Sequence, residues 1–185
     1  MDPSTLPAAA AEVLDFWFGP GNAARAEWFR KDPAFDEQVR TRFGALIGQA
    51  LAGGLDHWVH APPSALVRIV VLDQFTRNVF RDTPQAFAGD ALALAAAQAL
   101  VDAGGDRALT PLQRWFVYLP FEHAEDRAAQ QASMRLFGAL AAEVPAMAEA
   151  LEWARRHQVV VERFGRFPHR NAILGRASTP EEVAF

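Results

Sequence analysis

Apolar residues recur at helical spacing in segments of roughly 10–20 residues, separated by short breaks rich in glycine and proline. The pattern predicts helices near residues 6–18, 24–30, 33–52, 64–79, 84–103, 111–119, 124–142, 145–163 and 180–185. Alternating strand patterns are almost absent. Val67 to Leu72 lies inside a longer helical pattern, and Val159 to Val161 is too short to outweigh its helical flanks. Helix starts are marked by Asp32-Pro33, Thr83-Pro84, Thr110-Pro111 and Thr179-Pro180, each a capping side chain before a proline at the first helical position. Gly53-Gly54 and Gly104-Gly105 mark stops. Pro120 is expected to break the helix that begins at Pro111, leaving Glu122 and His123 at an irregular junction. Short breaks favour antiparallel neighbours, so the expected fold is all-α, a string of antiparallel helix hairpins forming a short α-solenoid. No clean self-similarity with the tetratricopeptide period of about 34 residues is present.

Composition narrows the chemistry. The 185 residues fit one domain spanning 1–185, with the first five expected to fray. A formal net charge of −4 gives no global field for nucleic acid or an anionic membrane. The chain has no cysteine, which excludes disulfides, thiolate zinc sites, iron–sulfur ligation and a cysteine nucleophile. Met1 to Ala11 carries Asp2 and no basic stretch, unlike a signal peptide, and apolar runs such as Ala91 to Ala97 fall short of the ~20 residues that span a bilayer. A cytoplasmic protein is the expectation.

Three polar segments interrupt apolar surroundings. In the first, Leu66 to Leu72 covers nearly every helix face, after which Asp73, Gln74, Arg77, Asn78 and Arg81 fall within about 140° of one another. Charge on a helix that enters the core needs partners or water. In the second, Glu122 and His123 stand beside Glu125 and Asp126; a histidine next to a carboxylate suits acid–base work, whereas acids at a helix start also simply favour its dipole. The third, Arg163 to Arg176, holds four arginines, His169, Asn171 and no acid. Its forks at Arg163, Arg166 and Arg170 suit a carboxylate or phosphate, or else neutralise the acids of the other two segments.

These segments, with Asp15-Phe16-Trp17-Phe18 and Trp28-Phe29, resemble the signature stretches of a bacterial family called domain of unknown function 924, in the same order from about Val13 to Phe185. Thr76 stands where that pattern has proline. The resemblance implies a tetratricopeptide-like helical fold and no established activity, cofactor or partner.

Other chemistry finds little support. The serines lack a nucleophile-elbow motif, and Gly19-Pro20-Gly21 lacks the lysine and spacing of a phosphate loop. His57 and His60 form at most a weak metal pair, so neither a metal nor a cofactor is expected. The three polar segments are expected to converge on a cleft with residual positive potential. Asp73, Arg77, Asn78, Arg163, Arg166, Arg170 and Asn171 would bind an anionic small molecule or peptide carboxylate there. An alternative is an enzyme using His123, Glu122 or His169 for acid–base chemistry; another is a structural protein with no ligand. Five tryptophans and fourteen phenylalanines leave room for a homodimer, and nucleic acid is not an expected partner.

Overall fold

The computed structural model describes residues 6–59 and 61–185, so the expected fraying of residues 1–5 and the His60 half of the histidine pair lie outside the described residues. The described chain is helical, with no strand among the described residues. The helices are α1 (Ala8–Phe18), α2 (Pro33–Leu51), α3 (Pro62–Val70), α4 (Thr76–Val79), α5 (Asp90–Asp102), α6 (Pro111–His123), α7 (Arg127–Glu143), α8 (Ala148–Phe164) and α9 (Pro180–Ala184). A π-helical turn, Val71–Phe75, joins α3 to α4 without a break in the rod. Short 3-10 turns fill most connections.

Capping explains the boundaries. Asp32 Oδ1 accepts the backbone N–H groups of Ala34 and Phe35 at 3.1 Å each. Thr110 with Gln113, and Thr179 with Glu182, form reciprocal capping boxes at α6 and α9. From α5 to α8, neighbours in sequence are neighbours in space: α5 packs on α6, α6 on α7 and α7 on α8, while α3 lies against α1, α5 and α6, and α2 against the π turn and α4. Short connections between touching helices make antiparallel hairpins, the succession of a short helical solenoid.

Several elements differ from the sequence expectation: the segment near 24–30 forms only a 3-10 turn, Ala26–Trp28, and that near 145–163 opens with a 3-10 turn before α8. Pro120 does not end α6, which runs on to His123. The turn after it is held from outside: Gln130 Nε2 donates to the carbonyls of Glu122 and Ala124 at 2.7 and 2.8 Å, and Arg170 Nη2 donates to that of His123 at 3.0 Å. These bonds satisfy carbonyls that the end of α6 leaves without helical partners. The segment 84–103 is split into a 3-10 turn at Pro84–Phe87 and α5. Between them Gly89 rests on the π turn, so closely that a Cβ would lie 2.1 Å from the Leu72 carbonyl oxygen.

The core runs from Ala10 to Ala154 and centres on aromatic rings. Trp17 packs edge-on against Phe75 and Phe116, with ring centroids 5.3 and 5.7 Å apart, and Phe116 meets Trp28 at 4.7 Å. Ile69, Leu72, Phe75, Phe116, Leu119 and Phe121 are buried, whereas Phe80 is only partly covered. Trp17, Trp28 and Trp58 are core residues, but Trp153 is 46% exposed.

The packing at Gly89 sets a contrast between glycines. Gly89→Ala should cost about 2 kcal/mol or more, because backbone atoms would have to move apart. Gly138→Ala, inside α7 with nothing within 4 Å of an added Cβ, should gain about 0.5–1 kcal/mol. Phe121→Ala should cost about 3–5 kcal/mol, since the ring is 4% exposed. Urea melts of the three variants decide; a neutral Gly89→Ala would show that α5 is free to slide.

Candidate functional site

Asp73 sits on the π turn at 1% exposure. Such turns displace one residue from the α-helical register and are frequent at functional sites. Thr76 follows, and its hydroxyl donates to the Leu72 carbonyl at 2.8 Å. The Asp73 carboxylate meets His123 Nδ1 at 2.7 Å and Arg77 Nη1 at 3.1 Å, and accepts a bond from the Gln74 amide. Burial opposes its ionisation, but the charges of Arg77 and His123 and the bonds from His123 and Gln74 win, holding it well below the usual carboxylate range. An ionised carboxylate only accepts, so His123 Nδ1 carries the hydrogen, and Nε2 has a free lone pair only when the ring is neutral.

Arg77 turns its fork to Asp90, the first residue of α5, with Nη1 to Oδ1 at 2.8 Å and Nη2 to Oδ2 at 3.0 Å. Arg170 shares Asp90 through Nη1 at 3.2 Å and lies between the rings of Phe87 and Phe167, at 4.6 and 4.7 Å. Burial first, then the charge of Arg77, lower its pKa. The Arg170 Nε is buried without a hydrogen-bond partner among the described residues.

A second histidine–carboxylate pair stands beside the first. His157, on α8, places Nδ1 2.9 Å from Glu122 Oε1 and 2.9 Å from the Trp153 carbonyl oxygen. Burial works to lower the His157 pKa, but the hydrogen bond and charge of Glu122 outweigh it, and the net shift is upward. Glu122 is 3% exposed, and its Oε2 has no partner among the described residues. The His123 and His157 rings are 6.2 Å apart.

His123 lies where three cavities meet. One of about 460 Å³ reaches Asp90 and Arg170, and a small polar one of about 190 Å³ reaches Gln74, Arg77 and Asn78. The largest, about 760 Å³, is a cleft walled by Phe29, Trp115 and Trp153, with Glu122, His123 and His157 at its polar end.

The expected convergence therefore holds for the first two segments and for Arg170 of the third. Arg163 instead meets Glu181 at 2.9 Å, and Arg166 meets Glu182 at 2.6 Å. Asn171 is buried and donates to Ser178 and Glu182. His169 is exposed, its pKa lowered by burial of part of the ring and by the charge of Arg170. Asn78 lines the small cavity but donates to Asp36, which also pairs with Arg81. Asp90, Glu181 and Glu182, all outside the three segments, pair with Arg77, Arg170, Arg163 and Arg166. Asp90, His157 and the aromatic walls escaped the sequence reading. Asp90 passes for an ordinary acid at a helix start, and His157 has no acid adjacent to it in sequence. Among the described residues no group of three or more potential metal ligands is clustered, and no helix is long and apolar enough to cross a membrane.

The profile of a family described as a bacterial protein of unknown function, DUF924, matches residues 13–185, and the chain belongs to that family. A solved structure described as the protein of unknown function ATU0120 from Agrobacterium tumefaciens is 43% identical, covers 96% of each chain and has a TM-score of 0.86. No curated protein matches.

The depressed carboxylate has a signed consequence. A group whose pKa is lowered on folding adds stability above its ordinary value near 4 and loses it as pH falls toward the folded value. Glu125 is lowered too, and Glu182 lies at about 2, so stability should fall steadily below about pH 4. Asp73→Asn should cost about 3 kcal/mol at pH 7, because His123 and Arg77 would then face a neutral amide oxygen in place of the buried carboxylate. The same variant should show a shallower acid loss. Urea melts at pH 7 and pH 3 test this; curves for the two proteins that run parallel would mean Asp73 is not charged in the folded state.

Proposed function

We propose that this protein is an acid–base enzyme acting on a small molecule held in the aromatic cleft, with His123 as the proton-transfer group and Asp73 as its orienting partner. The carrying observation is the buried Asp73 bound to His123 Nδ1 at 2.7 Å, which leaves Nε2 for a reacting group in the cavities around it. A carboxylate behind an imidazole sets the tautomer and stabilises the imidazolium formed in the reaction. His157, oriented by Glu122, would supply a second proton position at the same end of the cleft. General acid–base assistance of this kind contributes roughly 10²–10⁴-fold to a rate.

A second reading is capture of an anionic small molecule or peptide carboxylate without turnover. It is supported by Arg170, which lines the cavity shared with Asp90 and His123 and whose Nε has no partner among the described residues.

Incubation with a bacterial metabolite extract, followed by mass spectrometry, separates the readings. Under the first, wild type consumes at least one metabolite, and His123→Asn loses that turnover by roughly 10²-fold or more while its melting temperature stays within a few degrees. Turnover that survives in His123→Asn would sink the assignment. An anion retained without being changed, and lost in Arg170→Lys, would establish the second reading in its place.

A further inference from the structure

We infer that the aromatic cleft takes an organic amine, a flat apolar body carrying a protonated nitrogen that donates to Glu122. The inference rests on the acid–base reading of the same site and names its substrate class.

The deep end of the cleft presents an acceptor in need of a donor. Glu122 is 3% exposed, its Oε1 is taken by His157, and its Oε2 is buried with no partner among the described residues. An unsatisfied buried carboxylate oxygen is costly, and a charge-assisted bond from an ammonium group would relieve that cost. The forks around His123 that would attract an anion are already engaged, Arg77 and Arg170 both with Asp90. Arg25, the cationic side chain at the cleft mouth, donates to the Phe16 carbonyl and lies 3.8 Å from Glu27.

The walls select in the same direction. Phe29 is 58% exposed and stacks on Trp115 with centroids 5.1 Å apart and planes 25° from parallel, and Trp153 is 46% exposed on the opposite helix. Large aromatic surface left open beside a polar end suits a flat apolar body. Aromatic faces are negative and attract cations, as Arg156 already shows by lying 4.7 Å from the Trp153 ring. An ammonium group reaching Glu122 passes aromatic faces that attract it, whereas a carboxylate would meet the π faces and then Glu122.

A matched set of probes tests the inference on the intact protein: phenethylamine, phenylacetate and 2-phenylethanol, which share a ring and differ in charge. Affinities are read by calorimetric titration at pH 7. Phenethylamine should bind about 10-fold or more tighter than phenylacetate. Glu122→Gln keeps the shape and removes the charge, so it should level that preference. Trp153→Ala, at an exposed position that should not perturb folding, should weaken the amine by roughly 3- to 10-fold. Preference for phenylacetate, equal affinities, or binding by none of the probes would overturn the inference. Because binding needs no turnover, the two readings fail separately: an amine preference with turnover independent of His123 removes the catalytic reading alone, and a His123-dependent reaction confined to anions removes this one alone.

Discussion

The buried charge of Asp73 is the constraint on which the rest of the arrangement depends. A carboxylate at 1% exposure cannot be left alone, since removing a partner from such a group costs several kcal/mol, more than the ~1 kcal/mol of a typical helix cap. Its partners come from two helices, Arg77 from α4 and His123 from α6. Arg77 in turn requires Asp90 from α5, Asp90 accepts Arg170, and Arg170 returns to the His123 carbonyl. The bonds close a ring through three helices and the segment after α8. Hydrophobic packing brings these helices together without direction; the ring sets which residues face one another.

Three local irregularities coincide at that ring, and each is stabilised by tertiary contacts rather than by local sequence. The π turn frees backbone carbonyls, two of which are taken by the Thr76 hydroxyl and by Arg77 Nη1 at 2.8 and 2.7 Å. Thr76 thereby does locally what a proline at that position could not: it offers a donor to the carbonyl a turn earlier. Pro120 leaves α6 short of one bond just before the turn that carries Glu122 and His123, and Gln130 and Arg170 hold that turn. Gly89 lets α5 approach the Leu72 carbonyl closely enough to bring Asp90 within reach of Arg77.

The fold was largely legible because its signals are local. Asp32, Thr110 and Thr179 cap where the side-chain chemistry says they should, and the buried positions in α3 and α6 follow from uninterrupted apolar runs. The candidate site was legible only in part. Asp73, Arg77, Glu122, His123 and Arg170 stand out because charge in apolar surroundings needs an explanation. Their partners do not stand out: Asp90 opens an alanine-rich helix where an acid is ordinary, and His157 belongs to a polar helix face. Pairing of this kind is decided by which helices meet, and the donors that hold the end of α6 beyond Pro120, Gln130 and Arg170, likewise come from later in the chain.

The polarity of the cleft follows from the same neutralisation. Counting charges along the third segment suggests a cationic site, but arginine forks attract a ligand only when no carboxylate is nearer, and Glu125, Glu181 and Glu182 take Arg176, Arg163 and Arg166. Once those pairs are formed, the groups that define the site are the ones left over. In the aromatic cleft they are the second oxygen of Glu122 and the Nε2 atoms of two histidines whose Nδ1 atoms are committed to carboxylates. All three can accept a hydrogen bond when the rings are neutral, so the deep end of the cleft is basic in the chemical sense although arginines crowd the sequence around it. His123 differs from His157 in facing all three cavities, whereas His157 faces the aromatic cleft alone. Under the proposed acid–base reading, that difference would let His123 pass a proton taken in the cleft to the cavity that reaches Asp90 and Arg170, and would leave His157 to hold or return one within the cleft.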